Sequence, residues 1–345
     1  MNPRLWILAA IVLSLGGGAA WNTPAVQDGL LRLGFQRVLG PPPAAPEGLR
    51  VVVCGSASPL GNDPRRAQAC IAVLTPEHLL VFDSGARAPL RMAQARLPLG
   101  RLTAVFLTHL HSDHIASLPD VLLAGWVQGR AAPLEVHGPE GIEEVVDGFN
   151  RAYRLDRSYR VAHHGSDLLP PAAGRMKAVS GTPGEVAWSD GRLTVRSFPV
   201  DHAPVSPALG YRVDYRGRSV VISGDTNASD DLFEAARGAD LLLHDALSRA
   251  LLDPMIEAAE ARGIDRLSTV MTDVIDYHAD VRSLEARAAQ AGVARLVLYH
   301  LVPTPPNALA EKVFARGLSP ETLLASDLQT FDLPPDSREI HIHAP

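Results

Sequence analysis

A chain of 345 residues with an ordinary globular composition, 46% hydrophobic and 20% charged, has ample material for a large core. Its formal net charge of −6 excludes a global electrostatic pull toward nucleic acid, and the positive charge is nearly all arginine, with lysine only at Lys177 and Lys312.

Residues 1–21, "MNPRLWILAAIVLSLGGGAAW", set one arginine ahead of about sixteen apolar or small residues and read as a signal peptide or an N-terminal membrane anchor. The expected location is therefore exported: periplasmic, anchored facing outward, or secreted. Residues 22–48 form a linker, with a short amphipathic segment, "VQDGLLRLGFQRVLG", ahead of "PPPAAPEG", whose prolines stop a helix. Residues 49–345 are expected to fold as one domain.

That domain begins with strand-like runs, "LRVVVCG" and "ACIAVL", which carry the two cysteines, Cys54 and Cys70. In an exported protein these could form a disulfide, the alternative being two buried thiols. Further runs follow: "LLVFDSG", "AVFLTH", "LEVHG", "LTVRSFPVDH", "ALGYRVDYRG", "SVVISGD", "LLLHDAL" and "RLVLYHL". The later ones alternate with helical stretches at Asp230 to Arg237 and Val281 to Ala291, the second ended by Gly292. Such a mixture predicts a layered α/β fold with sheets inside and helices outside.

The chemistry concentrates in "FLTHLHSDHIASLPD", where His109, His111, Asp113 and His114 fall within six positions after an apolar strand. Imidazole and carboxylate suit zinc, with manganese or iron as further candidates. Four ligands are too crowded for one tetrahedral ion that keeps a water. Two ions need about six or seven protein ligands, and His202, Asp225 and His300 supply three more. Each of these, like His244, is expected where an apolar strand gives way to a loop. A lone histidine at such a place is ordinarily structural. Six clustered positions with no core periodicity and a carboxylate among them are not.

The cluster, followed in order by "VDH", "SGDT" and "LYH", resembles the metallo-β-lactamase superfamily, and within it the ribonuclease Z and arylsulfatase-like branch. "CGSASPLGNDPRRAQACIAVL" is similar to that branch's glycine- and serine-rich opening loop, and "YHADVRSLEARAAQAGVARLVLYHL" to its final histidine, helix and strand. The resemblance implies an αββα four-layer sandwich with two divalent metal ions at the sheet edge. His109, His111 and His202 would hold one ion and Asp113, His114 and His300 the other, with Asp225 bridging. It also implies a metal-activated water oriented by Asp113, and a proton donor or oxygen-binding role for His278. His244 and Asp245 match a supporting motif that usually reads His-Glu. "HHG", His163 and His164, could line the pocket, and Arg151, Arg154, Arg157 and Arg160, three apart, could hold an anion on one helix face.

The stretch from Gly138 to Ser197 lacks the long Gly-rich basic arm that ribonuclease Z enzymes use to grip tRNA. With the acidic balance and the export-type N-terminus, this favours a small-molecule ester, a phosphodiester or aryl sulfate, over nucleic acid. Alternatives are a tRNA 3′-end endonuclease, a lactone hydrolase, or a non-catalytic binding protein of the same fold. Relatives of this branch are often dimers, so a homodimer is an open expectation.

Overall fold

In the strand Leu49–Gly55 the side chains of Leu49, Val51 and Val53 turn to one side and those of Val52 and Cys54 to the other, and the whole fold grows from this period of two. The computed structural model describes residues 21–38, 40, 43–61 and 63–345. In chain order the strands are β1 (Leu49–Gly55), β2 (Cys70–Leu74), β3 (Leu79–Phe82), β4 (Leu102–Phe106), β5 (Leu134–Gly138), β6 (Met176–Ser180), β7 (Val186–Ser189), β8 (Leu193–Pro199), β9 (Leu209–Tyr215), β10 (Arg218–Ile222), β11 (Leu241–Leu247), β12 (Arg295–Val302), β13 (Leu323–Leu324), β14 (Thr330–Leu333) and β15 (His341–His343). The helices are α1 (Pro24–Val38), α2 (Ala88–Gln94), α3 (Ser112–Ile115), α4 (Leu118–Val127), α5 (Ile142–Ala152), α6 (Arg154–His164), α7 (Asp230–Ala235), α8 (Arg249–Glu260), α9 (Asp265–Asp273), α10 (Val281–Gln290) and α11 (Ala308–Phe314).

Two sheets result among the described residues. One runs β15-β14-β1-β2-β3-β4-β5-β6 and the other β13-β12-β11-β10-β9-β8-β7. Hairpin-joined strands pair antiparallel, whereas β3 to β6 and β10 to β13 pair parallel. Parallel neighbours need a crossover, and helices supply it early as well as late: α2 between β3 and β4, and α10 between β11 and β12.

The inner faces of the sheets close on each other through Val51, Val53, Phe82 and Phe106 from the first and Tyr211, Val220, Leu243 and Tyr299 from the second. Phe82 and Phe106 stack with centroids 5.0 Å apart, and Tyr211 packs on both. The outer face of the first sheet is covered by Met92 of α2, Leu118 and Val121 of α4 and Ile142 of α5. Leu232 of α7, Leu284 of α10 and Phe314 of α11 cover the second. The layers are therefore helix, sheet, sheet, helix, the αββα sandwich expected. Each fully buried Leu, Ile or Phe contributes on the order of 1.5–3 kcal/mol to holding them together.

Residues 44–345 form one compact unit, and the described residues ahead of Ala44 belong to another. In the N-terminal unit the amphipathic segment forms α1. The expected signal or anchor in residues 1–20 lies outside the described residues. Among the described residues no helix is long and apolar enough to cross a membrane.

Cys54 and Cys70 are joined by a disulfide across the β1–β2 pair, closing a loop with a sequence separation of 16. A loop of that size is worth roughly 3 kcal/mol of restricted unfolded chain. Replacing both by alanine should lower the unfolding free energy in urea by about that amount; an unchanged midpoint would mean the bond restrains nothing the unfolded chain explores.

Candidate metal centre

Three hydrogen-bonded loops build the site. After β3 the chain turns at Asp83, whose φ is 58°, and runs through Ser84 and Gly85. Asp83 is buried and accepts from the Thr108 amide at 2.8 Å and from Nδ1 of His114 at 2.9 Å. Donation through Nδ1 fixes the His114 ring and leaves Nε2 facing the centre. Ser84 donates its amide to the carbonyl of His114, and any Cβ on Gly85 would run into the carbonyl of Asp113. The short helix α3 that carries Asp113 and His114 thus sits in a cradle only glycine permits.

His300 is held differently. It was expected at a strand end, but β12 continues to Val302, and His300 is an extra residue inside it. Tyr299 pairs with Asp245 and Leu301 with Ala246, so His300 faces no partner and takes a φ of 43°. A bulge of this kind re-aims a side chain at a cost of about 1–2 kcal/mol for a non-glycine residue. The opening loop offsets that cost: Ser56 accepts from the Leu301 amide at 3.0 Å, and Ser58 donates its amide to Thr304 Oγ1 at 3.0 Å. Asp327 in turn receives the amide and hydroxyl of Ser56 at 3.1 and 2.7 Å.

The loops bring all seven expected donors together in two groups, His109, His111 and His202 in one, Asp113, His114, Asp225 and His300 in the other, with the ligand atoms of each within 4.8 Å of one another. In the first, Nε2 of His109 lies 2.9 Å and Nε2 of His202 3.4 Å from Nδ1 of His111. Nδ1 of His202 donates to the Tyr277 carbonyl at 3.1 Å, which leaves its Nε2 a lone pair. In the second, Oδ2 of Asp113 lies 3.0 Å from His300 and 3.5 Å from His114. Oδ2 of Asp225 stands between the groups, 3.3 Å from Nε2 of His114 and 3.9 Å from Nε2 of His109.

Charge and burial set the electrostatics. Burial drives the His109 pKa well below the usual imidazole range, and repulsion from His114 adds to it. Burial also opposes charge on His114 and His300, but Asp225 and its companion carboxylates outweigh this and hold both above their ordinary value. Burial would raise Asp225; His300 and His114 override it and keep the carboxyl well below the usual range. Even so, Nε2 of His114, Nδ1 of His300 and Oδ1 of Asp225 are buried with no hydrogen-bond partner. Such orphans cost about 1–3 kcal/mol each. Converging nitrogen and carboxylate donors left unsatisfied toward a common point fit two divalent cations, and zinc chemically best.

Behind this floor, Nδ1 of His278 bonds to Asp245 at 2.9 Å, and its ring centroid is 5.5 Å from those of both His202 and His300. Other expected site residues stand apart. His244, expected at a strand end, lies inside β11 and faces outward, its ring stacked at 5.8 Å on Phe233; it touches the site only through Asp245. His163, His164 and Arg154 are exposed on α6 and do not join the donor groups. Nor do the four arginines form an anion clamp: Arg157 turns inward to the Asn150 carbonyl and Arg160 pairs with Asp156 at 2.8 Å. Asp83 was not among the expected site residues, although "LLVF" before it gives it the same strand-end position as His109. Tyr277, at the mouth, has no sequence signal of its own.

Residues 79–301 match the family model described as "Beta-lactamase superfamily domain". A relative named Ribonuclease Z from Mycobacterium bovis is 38% identical over 258 residues, covering 74% of this chain and 86% of the relative. Its namesake from Mycobacterium marinum is 36% identical, covering 74% and 87%. Among solved structures, human tRNase Z short form shares the fold at a TM-score of 0.55 and 23% identity, covering 81% of this chain and 98% of that one. Zn(2+)-bound PqqB from Methylobacterium extorquens does so at a TM-score of 0.55 and 22% identity, covering 82% and 100%.

Asp83→Ala should weaken metal binding by about 10–100-fold through loss of the His114 anchor, read by competition with a chromophoric chelator. Undiminished affinity in a folded variant would show that His114 needs no such anchor.

Proposed function

The chain belongs to the beta-lactamase superfamily and is a metal-dependent hydrolase acting on ester bonds, and from that premise we propose that the bond it hydrolyses is a phosphodiester. The observation that carries the reading is the pair of donor groups with the Asp225 carboxylate between them. Two divalent cations bound there supply concentrated positive charge for an anionic ester and acidify a water to near neutral pKa. His109, His111 and His202 would hold one, Asp113, His114 and His300 the other, and Asp225 would screen their mutual repulsion.

The protein's own groups then divide the work. Asp113, fixed by its 3.0 Å contact with His300, is positioned to orient the attacking water and take up its proton. His278 is anchored through Nδ1 by the buried Asp245, so its Nε2 is free for a substrate oxygen or a proton to the leaving group. The Asp245 carboxylate would stabilise the imidazolium, a role that tolerates the shorter side chain.

The ester class draws on the relatives. Their name supports phosphodiester over aryl sulfate or lactone, and it favours nucleic acid over the small-molecule substrate expected from the sequence. An RNA substrate is accordingly the second reading. Against it stands export, proposed from residues 1–21 and supported by the Cys54–Cys70 disulfide, a bond that persists in oxidising compartments where precursor tRNA is absent.

The purified protein should carry about two metals per chain and hydrolyse bis(p-nitrophenyl) phosphate faster than p-nitrophenyl sulfate. Asp225→Ala should lower the metal content and cut the rate by more than about 100-fold. Faster sulfate hydrolysis would overturn the phosphodiester reading; a metal-free, inactive protein would turn it toward a binding module.

A further inference from the structure

The solvent-facing wall of the site has a different chemistry from its floor. A cavity of about 430 Å³ opens beside His111 and His202, walled by Ala203, Pro204, Val205, Tyr277 and two carboxylates, Asp273 and Asp276, with no Lys or Arg among its lining residues. Tyr277 is half-buried, its ring 5.2 Å from that of His202 and 5.0 Å from that of His278. Asp273 and Asp276 are exposed. A third carboxylate is tied to this rim: the Asn227 side-chain amide donates to the Asp276 carbonyl at 2.7 Å and to Asp201, the neighbour of His202, at 3.3 Å.

Two divalent cations held by only two carboxylates, Asp113 and Asp225, leave the floor positive and able to take one anionic phosphoryl group. The rim is negative. A nucleic-acid chain brings a further phosphate on each side of the scissile one, and the one on this side would fall where a lysine or arginine is needed and carboxylates stand instead. An alkylammonium group has the opposite preference. It is attracted by carboxylates and by an aromatic face, and its methyl groups suit a wall of alanine, proline and valine.

We infer that this cavity receives one alcohol of a small, singly charged phosphodiester, and that this alcohol is cationic, of the quaternary amino-alcohol class, with Asp273, Asp276 and Tyr277 as the specificity residues. The inference rests on the phosphodiesterase reading. It differs from that reading in what it forbids, namely the polyanionic RNA backbone.

The test compares p-nitrophenyl phosphocholine with the p-nitrophenyl ester of thymidine 5′-phosphate on the metal-loaded enzyme. Both carry one phosphodiester charge and release the same phenol. The expected result is a kcat/KM about tenfold higher for the cationic ester, carried mainly by KM. In the double variant Asp273→Asn, Asp276→Asn that ratio should fall toward unity. Because both esters are assayed on the same preparation, the ratio does not depend on the active fraction. A ratio of one or less in the parent, a ratio unmoved by the double substitution, or an oligoribonucleotide cleaved in preference to both esters would overturn the inference while leaving phosphodiester hydrolysis intact. Failure to hydrolyse bis(p-nitrophenyl) phosphate, with p-nitrophenyl sulfate turned over, would overturn the phosphodiesterase reading and this inference with it.

Discussion

Burying four imidazoles and two carboxylates within a few ångströms of one another, beside the exposed fifth imidazole of His111, is the constraint from which the rest of this molecule follows. Each group loses hydration, and several of their polar atoms have no partner within the protein. Attraction between the Asp225 and Asp113 carboxylates and the His114 and His300 imidazoles offsets part of this, which is why the carboxyls are held low and those two imidazoles high. His109 is equally buried but repelled by the neighbouring imidazoles, and it shifts the other way. Such an arrangement is costly without cations and self-consistent with them.

The scaffold is arranged to meet that cost with rigidity. Parallel strands end together at one side of each sheet, so β4 and β10 deliver His109 and Asp225 from opposite sheets to one place. The cradle of Asp83, Ser84 and Gly85 fixes α3, and the loop after β1, braced by Asp327, fixes the bulge at His300. The first acts on backbone and on the His114 nitrogen facing away from the centre, the second on the backbone beside His300. The donor atoms themselves remain free to point inward.

The same division of labour separates reaction from selection. The floor serves hydrolysis of an anionic ester in general, whereas the mouth belongs to the segment from Asp273 to Tyr277 and to the loop after His202. These lie outside the strands that carry the donors, so their chemistry can differ without disturbing the centre. Relatives named Ribonuclease Z and a cavity with no Lys or Arg among its described lining residues are compatible on those terms.

Much of this was legible in the residues. The spacing of His109, His111, Asp113 and His114 announces a metal cluster, and the period-two runs announce the sheets, because both signals are local. His244 was legible in principle, since it follows Leu243, an inward residue, and so must point outward. Arg157 and Arg160 share a helix with the right spacing for a clamp, but spacing does not reveal that one packs inward and the other meets Asp156. What the sequence by itself determined is which side chains can bind metal and which strands bear them. Only the tertiary structure decided how they meet: that His300 is aimed by a bulge, that Asp83 stands behind His114, that Cys54 bonds Cys70, and that the mouth is acidic. Those depend on contacts between segments far apart in the chain, and no local period or motif encodes them.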